Sequence, residues 1–448
     1  MTIQEIQARL RRDAARRERV KKLFGYYRAK HPILERVQSD ATKPNNRLAH
    51  GFPRYIANSY AGYMFGEPVT YGSEDERLAE RVKDAFDYND EASENARLGL
   101  DCAVCGMAVE LLYIDGDGVP RFARVDPEGC AYATDGTVED NLTALIRYYD
   151  REDVVTGART GTVEVYDAEK LSVYEAPGGI AHNEAHLRLV EEIPHAFGDV
   201  PAVVYRNNPD AMGDFEAVIS LVDAYDLMQS ESLNDQEYFT DAYLKLKGIG
   251  EMDDETLAGM KRNRVLLLPE DCDAEWMVKT QSDALPENIK DRLNRDIHRF
   301  SGCPDMSDEN FAGNASGVAM RYKLLQFENN AGVKEREFKR GLQRRIELLC
   351  NLWKKLHGEA MDWRAVKIEF HRSLPQNLLE LSQVVGNLGG VVSDETKRSW
   401  LPMDIDEDAE KARLQEQYGG SLFTAMERRT TVVEEAEAGG VTGDGAGR

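Results

Sequence analysis

Positive charge, long apolar runs and paired cysteines are what this chain has little of. Lys and Arg number 56 against 80 Asp and Glu, a formal net charge of −24. That balance argues against a protein that wraps nucleic acid, because phosphate contacts need Lys and Arg. It leaves room for a conduit that repels the phosphate backbone, although net charge alone decides neither. No stretch approaches about 18 apolar residues, so no transmembrane helix and no membrane partner is expected. The first 30 residues carry ten basic and three acidic side chains without a continuous apolar core. This is not a secretory signal, and a soluble intracellular protein is the expectation. Six cysteines (Cys102, Cys105, Cys130, Cys272, Cys303, Cys350) are scattered and read as reduced thiols. No Gly-x-x-x-x-Gly-Lys-Ser/Thr loop is present, so the chain is not itself an ATP-driven motor. No Gly-x-Ser-x-Gly elbow is present either. No acid/base pair stands out among the carboxylates, and neither catalysis nor a cofactor is expected.

What is there is enough for a large core. The 448 residues are 42% hydrophobic and 30% charged, which suggests two to four substructures in a mainly helical α+β chain. Residues 1–36 read as a basic, solvated amphipathic helix with Ile3, Ile6 and Leu10 at helical spacing. Phe52–Phe65 reads as an aromatic-rich helix closed by Gly66 and Pro68. Its Phe52, Tyr55, Tyr60 and Tyr63 suit a core or subunit interface better than a platform for bases. Two helices are expected over 73–106, then a hairpin over Ala108–Val125 turning at Asp115-Gly116-Asp117-Gly118. Further oxygen ligands and a late Glu are missing there, so the tetrapeptide is a turn and not a calcium loop. Cys102-x-x-Cys105 lacks a second ligand pair and a thioredoxin-like context, and reads as two small apolar side chains on a helix. Alternating patterns over 142–206, ending with Ala202–Tyr205, predict one antiparallel sheet.

One histidine group is the best enzymatic lead. His182, His186 and His195 fall within fourteen residues. A zinc-protease motif needs Glu directly after the first His, on a helix. Here Glu184 comes one place late in a predicted hairpin. A metal-dependent hydrolase built on these histidines is therefore the alternative reading, with an acidic structural adaptor lacking a channel as the third.

From Asp214 to Asp241 there are eight acidic residues and no basic one. Phe215, Val218, Ile219, Val222 and Tyr225 form one buried helical stripe. An acidic exposed face explains the charge by itself. Residues 242–283 read as an insert with strands at Ala242–Leu246, Val265–Leu268 and Ala274–Val278 and a short helix at Asp253–Lys261. Leu285–Phe300 reads as a returning helix. A loop rich in turn formers follows, with Pro304, Gly313, Asn314 and Ser316. Ser316 is a candidate N-cap for a long helix, since no proline occurs again before Pro375. Gly317–His357 carries ten Lys and Arg against four Glu, a local +6 in an acidic chain. Val366–His371 reads as a strand, 375–418 as broken helical stretches, and 427–448 as a Gly-rich, polar, disordered tail.

The loop and helix, with Pro-Asp-x-Ser-Asp-Glu-Asn-Phe-x-Gly-Asn-x-Ser-Gly leading in, resemble the portal proteins of tailed bacteriophages, of the type found in long-tailed phages of Bacillus. The Asn-Asn-Arg-Leu segment and the Gly-Tyr-x-Phe-Gly-x-Pro-Val segment within residues 45–69 match as well. The resemblance runs from about Tyr26 to about Tyr418. It implies a subunit of a twelve-membered ring at one capsid vertex in the virion, assembled in the host cytoplasm. Its parts would be a basic N-terminal helix (1–36), a wing (37–213), a stem helix (214–241), a clip (242–283) and a returning stem helix (284–302). A tunnel loop (303–316), a long channel helix with a wing strand (317–371), a crown (372–426) and the tail (427–448) would follow. By the same resemblance double-stranded DNA passes through without sequence recognition. A terminase large subunit and a head–tail adaptor dock in turn, and major capsid and scaffolding proteins surround the ring. The implied DNA-facing residues are Asp305, Asp308, Glu309, Asn310, Phe311 and Asn314 in the loop, and Arg321, Lys323, Lys334, Lys339 and Arg340 on the helix. Asp223, Asp226, Glu231, Asp235 and Glu237 would form the acidic stem wall.

Overall fold

Two helices stand at the N-terminus where the pattern suggested one. α1 (Ile3–Arg12) begins with a capping box: the Thr2 hydroxyl accepts from the Glu5 N–H, and the Glu5 carboxylate accepts from the Thr2 N–H. Asp13 separates it from α2 (Ala14–Tyr27). Neither is simply solvated. Ile6 is fully buried, and Val20, Leu23 and Phe24 enter the main core. Arg16 donates to the carbonyls of Pro127 and Cys130, and Arg19 pairs with Glu216. The arginines that looked like a solvent-facing surplus thus hold the N-terminus down.

This computed structural model describes residues 1–40, 43–177, 179–180, 186–240, 244–247, 273–276, 284–306, 317–372 and 378–388, with isolated positions beyond. The chain divides into two units, Met1–Ser373 and Leu374–Arg448. In the first, α3 (Phe52–Phe65) carries Pro53 in its first turn, and β1 (Thr70–Gly72) follows. α4 (Glu76–Asn89) starts where the Asp75 carboxylate accepts from the Arg77 and Leu78 N–H groups. α5 (Glu91–Cys105) ends at Gly106, whose φ of 85° and tight approach to the Ala211 carbonyl leave no room for a Cβ.

β2 (Met107–Ile114) and β3 (Pro120–Val125) form the expected hairpin, with Asp115 accepting from the Asp117 and Val119 N–H groups across the turn. β4 (Cys130–Thr134), β5 (Leu142–Glu152), β6 (Arg159–Tyr166), β7 (Lys170–Pro177) and β8 (Arg188–Pro194) make a five-stranded antiparallel sheet in sequence order. β9 (Ala202–Arg206) does not join it, contrary to the sequence expectation. It pairs instead with β2, giving the order β3-β2-β9. Burial explains the difference: Ala202, Val203 and Tyr205 are all inside, so the strand needs cover on both faces.

α6 (Ile219–Thr240) leads to β10 (Leu244–Lys247), which pairs with β11 (Asp273–Trp276) before α7 (Ala284–Ser301). The expected strands at Ala242–Leu246 and Ala274–Val278 are present with shifted ends. The expected helix at Asp253–Lys261 and strand at Val265–Leu268 lie outside the described residues. α8 (Gly317–His357) runs 41 residues, and β12 (Lys367–Glu369) pairs antiparallel with β1. Phe338, Leu342, Ile346, Leu349 and Trp353 of α8 pack on α4, α5 and the three-stranded sheet. Its earlier Phe327 and Ala331 pack with α2 and α3. In the second unit, α9 (Leu378–Asn387) is described; the expected tail at 427–448 lies outside the described residues. Helix and sheet are mixed, with helix predominant. No helix among the described residues is long and apolar enough to cross a membrane.

Candidate functional site

The resemblance directs attention to α6, α7, the segment after Ser301 and the start of α8. α3 organises all of them. Phe52 packs edge-on against Tyr225 of α6 at 5.1 Å and His298 of α7 at 5.9 Å. α7 closes at Gly302, whose φ is 68° and where a Cβ would collide with the Asn330 amide. The next residues are pinned. Tyr60 Oη donates to the Ser301 carbonyl (3.1 Å) and Tyr55 Oη to the Pro304 carbonyl (2.9 Å). The Met306 N–H donates back to Tyr55 Oη (3.0 Å). Cys303 is buried, which pushes its thiol up to about 12. A loop free from Cys303 onward is therefore not what forms: its first four residues are fixed to α3. Asp305 lies at this root, 3.4 Å from the Asn294 amide. Asp308, Glu309, Asn310, Phe311 and Asn314 lie outside the described residues.

The acidic positions of α6 do not form one exposed wall. Asp226 is fully buried, and its carboxylate meets His31 Nδ1 (2.5 Å), His50 Nδ1 (2.8 Å) and the His50 N–H (2.8 Å). Burial opposes its charge, but these hydrogen bonds outweigh it and hold Asp226 below its ordinary pKa. His31 Nε2 also lies 3.2 Å from the Tyr26 carbonyl, so both ring nitrogens face acceptors. A doubly protonated imidazolium satisfies both. Burial opposes that charge too, yet Asp226 raises the pKa of His31. Asp223 accepts from Tyr26 Oη (2.9 Å), Glu231 pairs with Arg36, and Glu237 accepts from the Asn46 amide (2.6 Å). Asp235 is half-buried. The run of carboxylates thus binds the 26–46 segment along α6, which is why it needs no basic partner of its own.

The basic helix is corrected in the same way. Lys334 is buried; its Nζ pairs with Asp214, donates to Asn207 Oδ1 (2.9 Å) and sits 4.2 Å over the Tyr60 ring. Burial lowers the pKa of Lys334 and raises that of Asp214. Lys334 cannot touch a ligand outside the subunit. Lys339 donates to the Ile368 carbonyl (3.0 Å), bracing β12. Arg340 is exposed and pairs with Glu337 one turn away, and Lys323 is exposed. Arg321 lies in α8, and its side chain is outside the described residues. The residue that sequence reasoning missed is Arg345. It has no exposed surface and bonds Glu110 twice (2.7 and 2.9 Å) and Asn95 once (2.9 Å), with Glu91 at 3.3 Å. Only long-range pairing with Glu110 betrays it, and no local pattern encodes that.

Of the three histidines, the two that are described lie apart from any group of metal ligands. His186 is exposed, His195 Nε2 faces the Asp167 carbonyl at 2.8 Å, and His182 is outside the described residues. Among the described residues no three His, Cys, Asp or Glu come together as metal ligands. Cys102 and Cys105 are buried, Cys105 with its thiol pushed up to about 12, as inert core thiols have.

The sequence pattern of one family, described as phage portal protein, SPP1 Gp6-like, matches residues 8–420. The chain belongs to that portal family. Two relatives are each described as portal protein. That of Clostridium phage phiCD119 is 26% identical over 443 residues, covering 93% of this chain and 96% of its own. That of Bacillus phage SPP1 is 25% identical over 397 residues, covering 84% and 77%. A solved structure, the neck of an empty GTA particle computed with C6 symmetry, aligns over 78% of this chain and 89% of its own. Its TM-score is 0.46 and its identity 14%. The family's match spans both the pinned loop root and the helices on either side of it.

Proposed function

We propose that this chain is the subunit of a ring-shaped portal at one capsid vertex, a passage for double-stranded DNA during packaging, retention and ejection. The observation that carries this reading is the family match from residue 8 to residue 420, with a relative matched over 93% of this chain and 96% of its own. In this reading α6 and α7 are the stem, the insert between them is the clip where terminase and head–tail adaptor dock in turn, and residues 303–316 are the tunnel loop. Residues 372–426 would belong to the crown. The job is mechanical and not catalytic. An acidic subunit keeps the phosphate backbone from adhering, and a few basic positions repeated around a ring retard DNA without reading bases. The pinned segment 303–306 fixes the start of that loop against α3.

Native mass spectrometry of the purified protein, with negative-stain images, tests this. Closed rings of about twelve subunits with a central hole are expected, since identical subunits joined head to tail close into rings. Monomers at every concentration, together with stoichiometric zinc, would overturn the portal reading in favour of the hydrolase.

A further inference from the structure

β1 is paired along one edge only. Among the described residues its sheet has two strands, β1 against β12. Tyr71 stands opposite Ile368, whose carbonyl turns to Lys339 of α8 (3.0 Å) and so away from β1. Residues directly opposed in an antiparallel pair either exchange both bonds or point both groups away. Tyr71 therefore presents its N–H and C=O to the open edge. Among the described residues no backbone bond from outside the pair reaches 70–72.

That edge borders a cleft of about 660 Å³ with α4 on its other side. Six consecutive residues, Pro68 to Ser73, line it, and none of Lys367–Glu369 in the partner strand does. One face of a strand shows only alternate residues, so a space touching all six follows the backbone of the open edge. From α4 it is lined by Ala79, Lys83, Phe86 and Asp90, three or four residues apart, which is one helical face. Buried Val69, Val82, Phe86 and Val366 form an apolar floor, with the Tyr71 ring edge-on to Phe86 at 4.6 Å. The rim is charged. Glu80, Asp87 and Asp90 stand against Lys83 alone, all four exposed and none in an ion pair among the described residues. Two cations nearby are engaged elsewhere, Arg81 by Glu359 and Lys367 by Glu74. Glu91 also lines the cleft, but it is buried and answered by Arg345 and Tyr71.

We propose that this cleft binds an extended, basic segment of a partner protein, which adds to β1 as a third strand. Every second side chain, apolar, enters the floor, and Lys or Arg on the outer side reaches Glu80 and Asp87. An open strand edge over an apolar floor selects extended polypeptide, because main-chain bonds supply affinity and the floor takes alternate side chains. The carboxylate rim favours a basic segment over an acidic one and repels phosphate. The cleft lies within one subunit, so its occupancy is independent of whether a ring forms.

The probes are fluorescein-labelled hexapeptides, Lys-Val-Lys-Val-Lys-Val and Glu-Val-Glu-Val-Glu-Val, titrated into the full-length protein and followed by anisotropy. The basic peptide should bind about tenfold or more tighter than the acidic one, with the difference shrinking as salt rises. At saturation, hydrogen exchange of the 68–73 segment should slow about tenfold. Only one edge of the added strand faces β1. Of the two alternately N-methylated versions of the basic peptide, one should therefore lose binding and the other keep it. Glu80→Lys/Asp87→Lys should reverse the preference between the two peptides, with far-UV circular dichroism unchanged because both side chains are exposed. No binding at millimolar peptide would overturn the proposal, as would equal affinity for both charges. Equal loss in the two N-methylated versions would show attraction without strand addition and overturn it too. Slow exchange of 68–73 in the free protein would mean that this chain or a second copy already covers the edge, and the partner is then wrong. If the charge-reversed variant does not fold, the N-methylated pair decides.

Discussion

Arg345 shows how far one residue can depart from what its type suggests. In the sequence it is one of ten basic residues on a helix; in the fold it is fully buried, 4.3 Å over the Phe122 ring and bonded to Glu110 and Asn95. Removing it strands the Glu110 carboxylate, which is itself fully buried. Arg345→Ala should lower the unfolding free energy by about 3–5 kcal/mol in urea titrations, whereas Arg345→Met with Glu110→Leu should cost far less. Equal losses in the single and double variants would show that packing and not charge is at stake. The His31–Asp226 pair makes a second prediction, in pH. His31 has its folded pKa raised above the ordinary 6.5, so its stabilisation is complete below that value and fades as pH rises through the raised one. Asp226 has its folded pKa lowered, so its share is present above the ordinary carboxylate range and is lost on acidification. Stability from this pair is therefore greatest between the two. Melting temperature should decline from about pH 6 to 9 more steeply in the natural protein than in His31→Gln, since a neutral amide has nothing to lose in that range. Parallel curves would remove His31 from the account.

At the scale of elements, legibility followed periodicity. Phe52–Phe65 appears with the bounds its aromatic spacing and its Gly66-x-Pro68 stop predict. The Asp115–Gly118 turn and the long proline-free helix are also where the residues place them. β4 was not anticipated, because five residues, four of them small, carry little pattern until β5 pairs with them. β9 alternates like its neighbours, but alternation says nothing about which sheet a strand joins. The candidate site was legible as a region and misread as side chains. Acidic runs and basic runs looked like two surfaces, yet Asp214 meets Lys334 inside the subunit and Asp226 is enclosed by two histidines. Tertiary pairing of this kind leaves no local trace. The loop root is the element whose behaviour follows most directly. Tyr55→Phe removes the donor to Pro304 and the acceptor for the Met306 N–H at once. A loss of about 1–2 kcal/mol is expected, confined to this segment. Hydrogen exchange of the Met306 amide should speed up about tenfold while α3 and α7 stay protected. Unchanged exchange would mean that burial of Cys303 alone holds the root.

For the whole molecule the proposed function raises the question of how a chain of net charge −24 would hold DNA at all. Four of the ten basic residues on α8 are committed internally. Lys334 and Arg345 are buried, Lys339 holds β12, and Arg344 is shared between Asp199 and Glu347. Lys323, Arg336, Arg340, Lys354 and Lys355 are exposed on that helix, Arg340 beside Glu337. In the proposed ring Lys323 and Arg340 would each be repeated once per subunit and would supply two circles of positive charge in an otherwise repelling passage. Weak contacts of that kind should slow DNA without stopping it, and should weaken as salt rises, because each phosphate contact releases counterions. Lys323→Glu with Arg340→Glu should leave ring formation intact, since neither side chain is part of the core. Particles assembled with this variant should retain less DNA after packaging, and the deficit should narrow at high salt as the natural contacts are screened too. Equal retention at every salt concentration would assign the braking of DNA to another part of the ring.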